Sequence, residues 1–195
     1  MLRLGLTGSI ASGKSTVGRM LVELGVPVIA ADDAVHELYR GAAVGPIEAL
    51  FPGTTHDGEV DRTALSRTLL EAPGRLKALE AIVHPMVRAR IRAFLDAAER
   101  DGASLAVADI PLLFETGADY GLDKVLVVIA PEAAIRERAL ARPGMSVEKL
   151  EAILARQLPQ AEKQQRADYV IDTGASLDET RRQVADLVGR LRQES

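Results

Sequence analysis

The sequence predicts an α/β fold, a parallel sheet flanked by helices with a phosphate-binding turn between its first strand and first helix. Three observations carry this. Five short apolar runs, at residues 2–6, 27–31, 104–109, 123–130 and 168–172, read as buried strands and alternate with segments of helical periodicity. The residues Gly8-Ser9-Ile10-Ala11-Ser12-Gly13-Lys14-Ser15 fit the pattern G-x-x-x-x-G-K-[ST] in full. A long helical stretch separates the second and third runs and is too large for a simple crossover, so it reads as a substrate-binding insertion.

Taken in order, Val17, Met20, Leu21 and Leu24 repeat at helical spacing after the glycine-rich turn, and Gly25 suits the position just past that helix. The second strand ends at Asp32-Asp33, and a helix runs on to about Arg40. Residues 41–58 are rich in Gly, Pro and Thr and predict loops, with at most a short helix near 46–50. Helical patterns return at 61–70 and 74–100, where Pro85 should break or kink the helix near His84. Pro131 opens a further helix, Pro143-Gly144 ends it, and Ser146 caps the next one to about Arg156. This Arg-bearing pair is a candidate lid. Ser176 and Glu179 have capping-box spacing before the last amphipathic helix.

The chain has 195 residues, 47% of them hydrophobic and 27% charged, which suits one globular domain with small inserted parts. Cysteine is absent, which excludes a disulfide scaffold, a thiolate zinc site and a cysteine nucleophile. The three histidines are not clustered, so a histidine metal site is not expected. Net charge is -4 and no dense basic run occurs, which argues against nucleic acid as a partner. No apolar stretch reaches membrane-spanning length, and the apolar part of the N-terminus is too short for a signal peptide. The expected location is the cytoplasm, with no membrane partner and no obligate protein partner evident.

The glycine-rich turn carries the clearest chemistry. Its glycines allow conformations that a Cβ would block. Successive backbone N–H groups from Gly8 to Thr16 can then form an anion nest at a helix N-terminus. Lys14 can reach the β- and γ-phosphates of a triphosphate, Ser15 can ligate Mg²⁺, and Thr16 can bond the α-phosphate. The bland alternative is a glycine-rich turn with an exposed lysine, and the strand-to-helix context argues against it.

Two carboxylates lie at strand ends, where open parallel sheets bind their ligands. Asp32 could accept the proton of an attacking hydroxyl, or Asp32 or Asp33 could simply cap the next helix. Asp109 follows Leu-Ala-Val-Ala and could hold Mg²⁺ or its waters, or could be a strand-end turn residue. Arg138 and Arg142 are four apart, so they are expected to share one helical face, and two guanidiniums there would suit a charged triphosphate. Arg136 reads as part of a solvated face. A lone histidine such as His84 is more often structural than catalytic.

With these residues in place, the chain resembles the dephospho-coenzyme A kinase family over essentially its whole length. The likeness runs through residues 5–17, through Leu24 to Asp32, the Asp61-Arg62 pair and His84-Pro85. It continues through Asp109-Ile-Pro-Leu-Leu-Phe-Glu115, Arg138 with Arg142, Gln157, and Ala167-Asp-Tyr-Val-Ile-Asp172. The segment 109–115 is the most telling, since ordinary nucleotide kinases lack it. The resemblance implies a P-loop kinase with a five-stranded parallel sheet. Its nucleotide-binding core would span about 1–33, 104–131 and 157–195, its helical acceptor-binding insertion about 34–103, and its lid about 132–156.

The implied reaction transfers the γ-phosphate of ATP, with Mg²⁺, to the ribose 3′-hydroxyl of dephospho-CoA, the last step of CoA synthesis. By the same resemblance Asp32 is the base, Lys14 and Arg138 act on the phosphates, and Arg142 binds ATP. Arg62, His84 and Pro111, Leu112, Leu113, Phe114 and Glu115 match the acceptor side, to which Asp32 also belongs, and Ser15 with Asp109 would hold the metal. Two departures stand out. Ala30 occupies a position where the family often has Asp, which leaves Asp32 as the single base candidate. Thr173-Gly174 follows Asp172, where many members carry Asn near the ATP adenine. Competing readings are a kinase for a nucleotide or another small hydroxyl compound, and a P-loop switch that hydrolyses slowly and binds a protein.

Overall fold

The computed structural model describes residues 1–194. In chain order, β1 (Leu2–Gly8) leads into α1 (Lys14–Glu23), β2 (Val28–Ala30), α2 (Ala31–Leu38) and α3 (Val44–Leu50). A short hairpin, β3 (Thr55–His56) and β4 (Glu59–Val60), precedes α4 (Arg62–Glu71), a 3-10 turn (Pro73–Arg75) and α5 (Leu76–Arg100). Then come β5 (Leu105–Asp109), α6 (Leu113–Thr116), β6 (Lys124–Ile129), α7 (Glu132–Leu140), α8 (Val147–Leu154), α9 (Gln160–Gln165), β7 (Tyr169–Asp172) and α10 (Leu177–Glu194). The chain forms two compact units. One comprises Met1–Ile29 and the chain from Leu95 onward, the other Ala30–Phe94. Among the described residues, no helix is long and apolar enough to cross a membrane.

The first unit is built on a five-stranded parallel sheet in the order β2-β5-β1-β6-β7. β1 sits at its centre, with Leu6 opposite Asp109 on one side and Leu126 on the other. From β1 the chain goes to one side of the sheet, and from β5 it goes to the other. The end of β1 is therefore a topological switch point, the place where such sheets bind ligands. Residues 4–7 of β1 and 126–128 of β6 are all buried, as expected for strands covered on both faces, and Leu4, Leu6, Leu126 and Val128 share one of those faces. They pack with Val17, Met20 and Leu21 of α1 and with Val184, Leu187, Val188 and Leu191 of α10. The periodicity of those two helices follows from this shared contact. Ser146 and Ser176 cap α8 and α10 by accepting from the N–H groups of Lys149 and Glu179. The free edge at β7 is blunted by Gln183, whose amide accepts from Asp172 N–H at 3.1 Å and donates to its C=O at 3.0 Å.

The second unit is helical around a core that includes Ile47, Phe51, Leu65, Val83 and Val87. Its α4 begins at Asp61, whose carboxylate accepts from the N–H groups of Thr63 and Ala64 at 2.8 and 3.0 Å. Two features differ from the sequence reading. Residues 41–58 contain not only the short helix α3 but also the start of the β3–β4 hairpin, turned by Asp57 at φ 52° and Gly58 at φ 81°. Two consecutive left-handed residues are what a tight hairpin turn requires, and Asp-Gly is the dipeptide that supplies them. Pro85 also does not break α5, which runs unbroken from Leu76 to Arg100. Val83 and Val87 are buried on either side of Pro85, and Ile91 and Leu95 continue the same stripe. That burial outweighs the missing N–H bond.

A proline inside a helix ordinarily costs about 3 kcal/mol relative to alanine. Pro85→Ala is therefore expected to raise the denaturant midpoint, by a gain of about 1–3 kcal/mol in unfolding free energy. A lower midpoint would mean that the pyrrolidine ring contributes packing worth more than the lost helix bond.

Candidate active site

The turn from Gly8 to Thr16 follows β1 and opens α1. Its shape is set by close packing. A Cβ added to Gly8 would lie 2.6 Å from Ser12 Oγ and 2.7 Å from Val128 O, so no larger residue fits there. Gly13 is the N-cap of α1 at φ 91°, and a Cβ there would lie 2.9 Å from the Thr173 side chain. Even Ala11 takes a left-handed conformation, at φ 57°. Gly13 offers no side-chain cap to α1, whose first turn holds no acidic residue. The positive end of the helix is thus left for an external anion.

Lys14 and Asp109 form an ion pair, with side chains only 16% and 12% exposed. Ser9 and Ser12 are buried, whereas Ser15 is exposed. Ile10 and Ala11 reach sideways into a small apolar cluster with Met145, Ala139, Leu150 and Leu154. The backbone N–H of Ile10 donates to Gln157 Oε1 at 3.0 Å. The turn is therefore fixed by side chains as well as by its own backbone.

The arginines separate clearly. Arg136 pairs with Glu132 and with Glu151 on the protein surface, which raises its already high pKa, through Glu151 first and Glu132 second. Arg138 instead donates from Nη1 to Thr173 Oγ1 at 3.0 Å and from Nη2 to Thr173 O at 2.8 Å. The face shared by Arg138 and Arg142 is not formed. α7 ends at Leu140 with Ala141 as its C-cap, so Arg142 lies exposed beyond the helix. Pro143 explains this, because a residue before proline is pushed out of the helical region.

The segment after β5 is anchored from within. Thr7 Oγ1 donates to Pro111 O at 3.2 Å. Leu113 is buried, Leu112 is exposed, and Arg166 lies over the Phe114 ring, 5.9 Å from its centroid. Glu115 Oε1 lies 2.8 Å from Lys163 Nζ, and the Lys163 side chain is fully buried. The same oxygen accepts from Leu158 N–H at 2.9 Å. Burial alone would push the Glu115 carboxyl up, but Lys163, the Leu158 N–H and its own N–H together hold it below the ordinary value. Gln160 adds a further tie, accepting from Ala130 N–H at 3.1 Å and donating to Ala130 O at 3.0 Å.

In the second unit, Asp32 and Arg62 line one cavity of about 530 Å³ with Tyr39, Ser66, Leu65 and Leu79. Asp32 does not cap its helix: the N-cap of α2 is Ala30, and Asp32 and Asp33 stand exposed in the first turn. The Arg62 guanidinium lies over the Tyr39 ring at 5.4 Å from its centroid. Burial raises the Tyr39 phenol above its ordinary pKa, and the Arg62 charge opposes that rise. His84 is exposed on α5. Tyr39 and Lys163 are not singled out by sequence, and Thr173 enters there only as a departure from the family pattern, with no role of its own. Tyr39 carried no motif, and Lys163 sits in the polar run Gln160-Ala-Glu-Lys-Gln-Gln165, which gives no sign of burial. Thr173 alone had a signal, its place directly after the last strand.

Removing one partner of a buried ion pair leaves the other charge uncompensated. Lys163→Met is expected to destabilise the protein by about 3–5 kcal/mol, and Glu115→Gln with Lys163→Met to recover much of that loss. The folded-state pKa of Glu115 is lowered, so its contribution is present above the ordinary carboxylate range and is lost as pH falls through the folded value. Denaturant unfolding of wild type and Glu115→Gln should therefore converge as pH drops below about 4. A gap unchanged by acid would show that the charge of Glu115 does not matter.

The dephospho-CoA kinase (CoaE) family model matches residues 2–179. A dephospho-CoA kinase of Brucella melitensis is 55% identical over 188 residues, covering 96% of this chain and 94% of the relative. A crystal structure from Thermus thermophilus superposes with a TM-score of 0.79 at 38% identity, over 97% of both chains. A dephospho-CoA kinase from Campylobacter jejuni superposes with a TM-score of 0.70 at 26% identity, over 97% of this chain and 96% of that one. Sequence and fold agree over the same span, and the chain belongs to the dephospho-CoA kinase family.

Proposed function

We propose that this protein transfers the γ-phosphoryl group of ATP to the ribose 3′-hydroxyl of dephospho-CoA in the cytoplasm, releasing ADP and CoA. The observation that carries the reading is the complete phosphate-binding turn at the end of the central strand, with Lys14 held on Asp109, in a chain of this family. In this reading residues 34–103 form the acceptor-binding insertion and residues 132–156 the lid over a core made by the rest of the chain.

The backbone of residues 8–16 and the start of α1 cradle the triphosphate. Lys14 exchanges Asp109 for the β- and γ-phosphates, and Arg138 and Arg142 add positive charge as the phosphoryl group moves. The 3′-oxygen forms a bond to the γ-phosphorus while the bond to the β-bridging oxygen breaks. Asp32 takes the hydroxyl proton, and ADP leaves with the electron pair. Arg62, His84 and residues 111–115 hold the acceptor, and Glu115 does so through its pairing with Lys163 and Leu158.

Magnesium suits the donors that this chain offers. Ser15 and Asp109 would supply a hydroxyl and a carboxylate, both hard oxygens. Among the described residues no group of three or more His, Asp and Glu could hold an ion, so phosphate and water oxygens would complete its shell. When bound, the ion neutralises charge on the β- and γ-oxygens.

The test is ADP release with dephospho-CoA, AMP and adenosine as acceptors. Dephospho-CoA is expected to be far the fastest, because binding energy from its remote arms positions the hydroxyl and raises kcat. Equal rates with AMP would leave a kinase for small hydroxyl compounds. Slow hydrolysis indifferent to every acceptor would favour a P-loop switch. Asp32→Asn is expected to lower kcat by about 10²–10⁴-fold, as for loss of a general base. ATP affinity, read by calorimetry, should stay nearly unchanged. A variant with weak ATP binding and normal kcat would remove Asp32 from the chemistry.

A further inference from the structure

We propose that the Thr173 hydroxyl is a positioning group that holds the Arg138 guanidinium against the phosphate-binding turn, so that Arg138 meets the triphosphate already oriented. The proposal rests on the reading of Arg138 as a phosphate-side arginine. Thr173 follows β7 and is 6% exposed. Its hydroxyl has one proton and two lone pairs. The proton goes to Ser12 O at 2.7 Å, with Ile129 O farther off at 3.3 Å. A lone pair is thereby turned toward Arg138 Nη1 at 3.0 Å, while the Thr173 carbonyl accepts from Nη2 at 2.8 Å. Two parallel bonds to one planar fork fix its orientation, which a single contact would not.

The same side chain touches the turn directly. Its Cγ2 and Oγ1 both lie 2.9 Å from where a Cβ of Gly13 would be. Gly13, Thr16, Arg138 and Thr173 then border one cavity of about 270 Å³ beside the start of α1. An arginine has much rotamer freedom to lose on binding a ligand, and one already pinned at the cavity wall loses less. Thr173 thus joins the turn to the arginine through a single hydroxyl.

A merely structural role, tying α7 to the sheet, predicts something else, and a double-mutant cycle separates the two. Thr173→Val keeps the shape and removes the hydroxyl, and Thr173→Ser keeps the hydroxyl. Each is made in wild type and in Arg138→Ala, and kcat/KM for ATP is measured with dephospho-CoA saturating. Thr173→Val is expected to lose about tenfold, the scale of one hydrogen bond to a charged group. Thr173→Ser should stay near wild type. In the Arg138→Ala background, Thr173→Val should add no more than about twofold, since coupled residues are not additive. Equal losses in both backgrounds would overturn the proposal and assign the hydroxyl to Ser12 alone. Wild-type activity of Thr173→Val beside an impaired Arg138→Ala would also overturn it. Unimpaired Arg138→Ala would instead reject the phosphate-side reading of Arg138, and this proposal with it. Thermal unfolding of every variant accompanies the kinetics, and Thr173→Ala serves if Thr173→Val does not fold.

Discussion

A lysine ammonium withdrawn from water must have an anion beside it, and the arrangement of the core follows from how Lys14 meets that demand. β1 and β5 are neighbours, and their register sets Leu6 opposite Asp109. The turn after β1 therefore brings Lys14 back over the end of β5, where Asp109 is waiting at 12% side-chain exposure. In the proposed function a triphosphate takes Lys14 from Asp109 without leaving the ammonium uncompensated, and the uncapped start of α1 offers that ligand a second source of positive potential. In that reading, binding of phosphate and release of Asp109 are parts of one exchange of charge.

The turn is gripped from two sides, which couples it to the helices at its rim. On one side Ile10 and Ala11 pack with Ala139 and Leu150, and Gln157 holds the Ile10 N–H. On the other, Thr173 fills the space beside Gly13 and bonds Ser12 O. Ala139 and Leu150 lie on α7 and α8, Gln157 lies in the turn after α8, and Arg138 reaches Thr173 from α7. The α7–α8 pair is therefore tied to the phosphate-binding turn directly through Ala139 and Leu150, and through Arg138 by way of Thr173. Leu158 and Lys163 extend the connection to Glu115, so the segment after β5 shares the same support. Movement of the α7–α8 pair would be felt in the turn and in that segment together.

Much of this was legible in the sequence because it depends on local rules. The five strands show as apolar runs, the phosphate-binding turn as a fixed glycine and lysine spacing, and the caps at Ser146 and Ser176 as hydroxyls ahead of apolar periodicity. What was missed depends on contacts distant in sequence or on a weak local cue. Asp57-Gly58 signals a hairpin, but its two-residue strands are too short to show alternation. Pro85 carries a strong local signal that burial of Val83 and Val87 overrides. The distance from Arg138 to Arg142 suggested a common face, yet the restriction imposed by Pro143 is just as local and favoured the opposite answer. Lys163 and Glu115 are 48 positions apart, and neither has a pattern that marks it as buried. Asp32 is the intermediate case: its place after the second strand was clear, but only the backbone shows that Ala30, not an aspartate, caps α2.

The most direct measurement of the whole account is the position of the new phosphate. Enzyme, magnesium, ATP and dephospho-CoA would be incubated to completion and the product examined by phosphorus NMR with proton correlation. The account requires one new monoester resonance coupled to the ribose H3′, formed in equal amount with ADP. A monoester at another oxygen, or ADP formed with no phosphorylated acceptor, would contradict it.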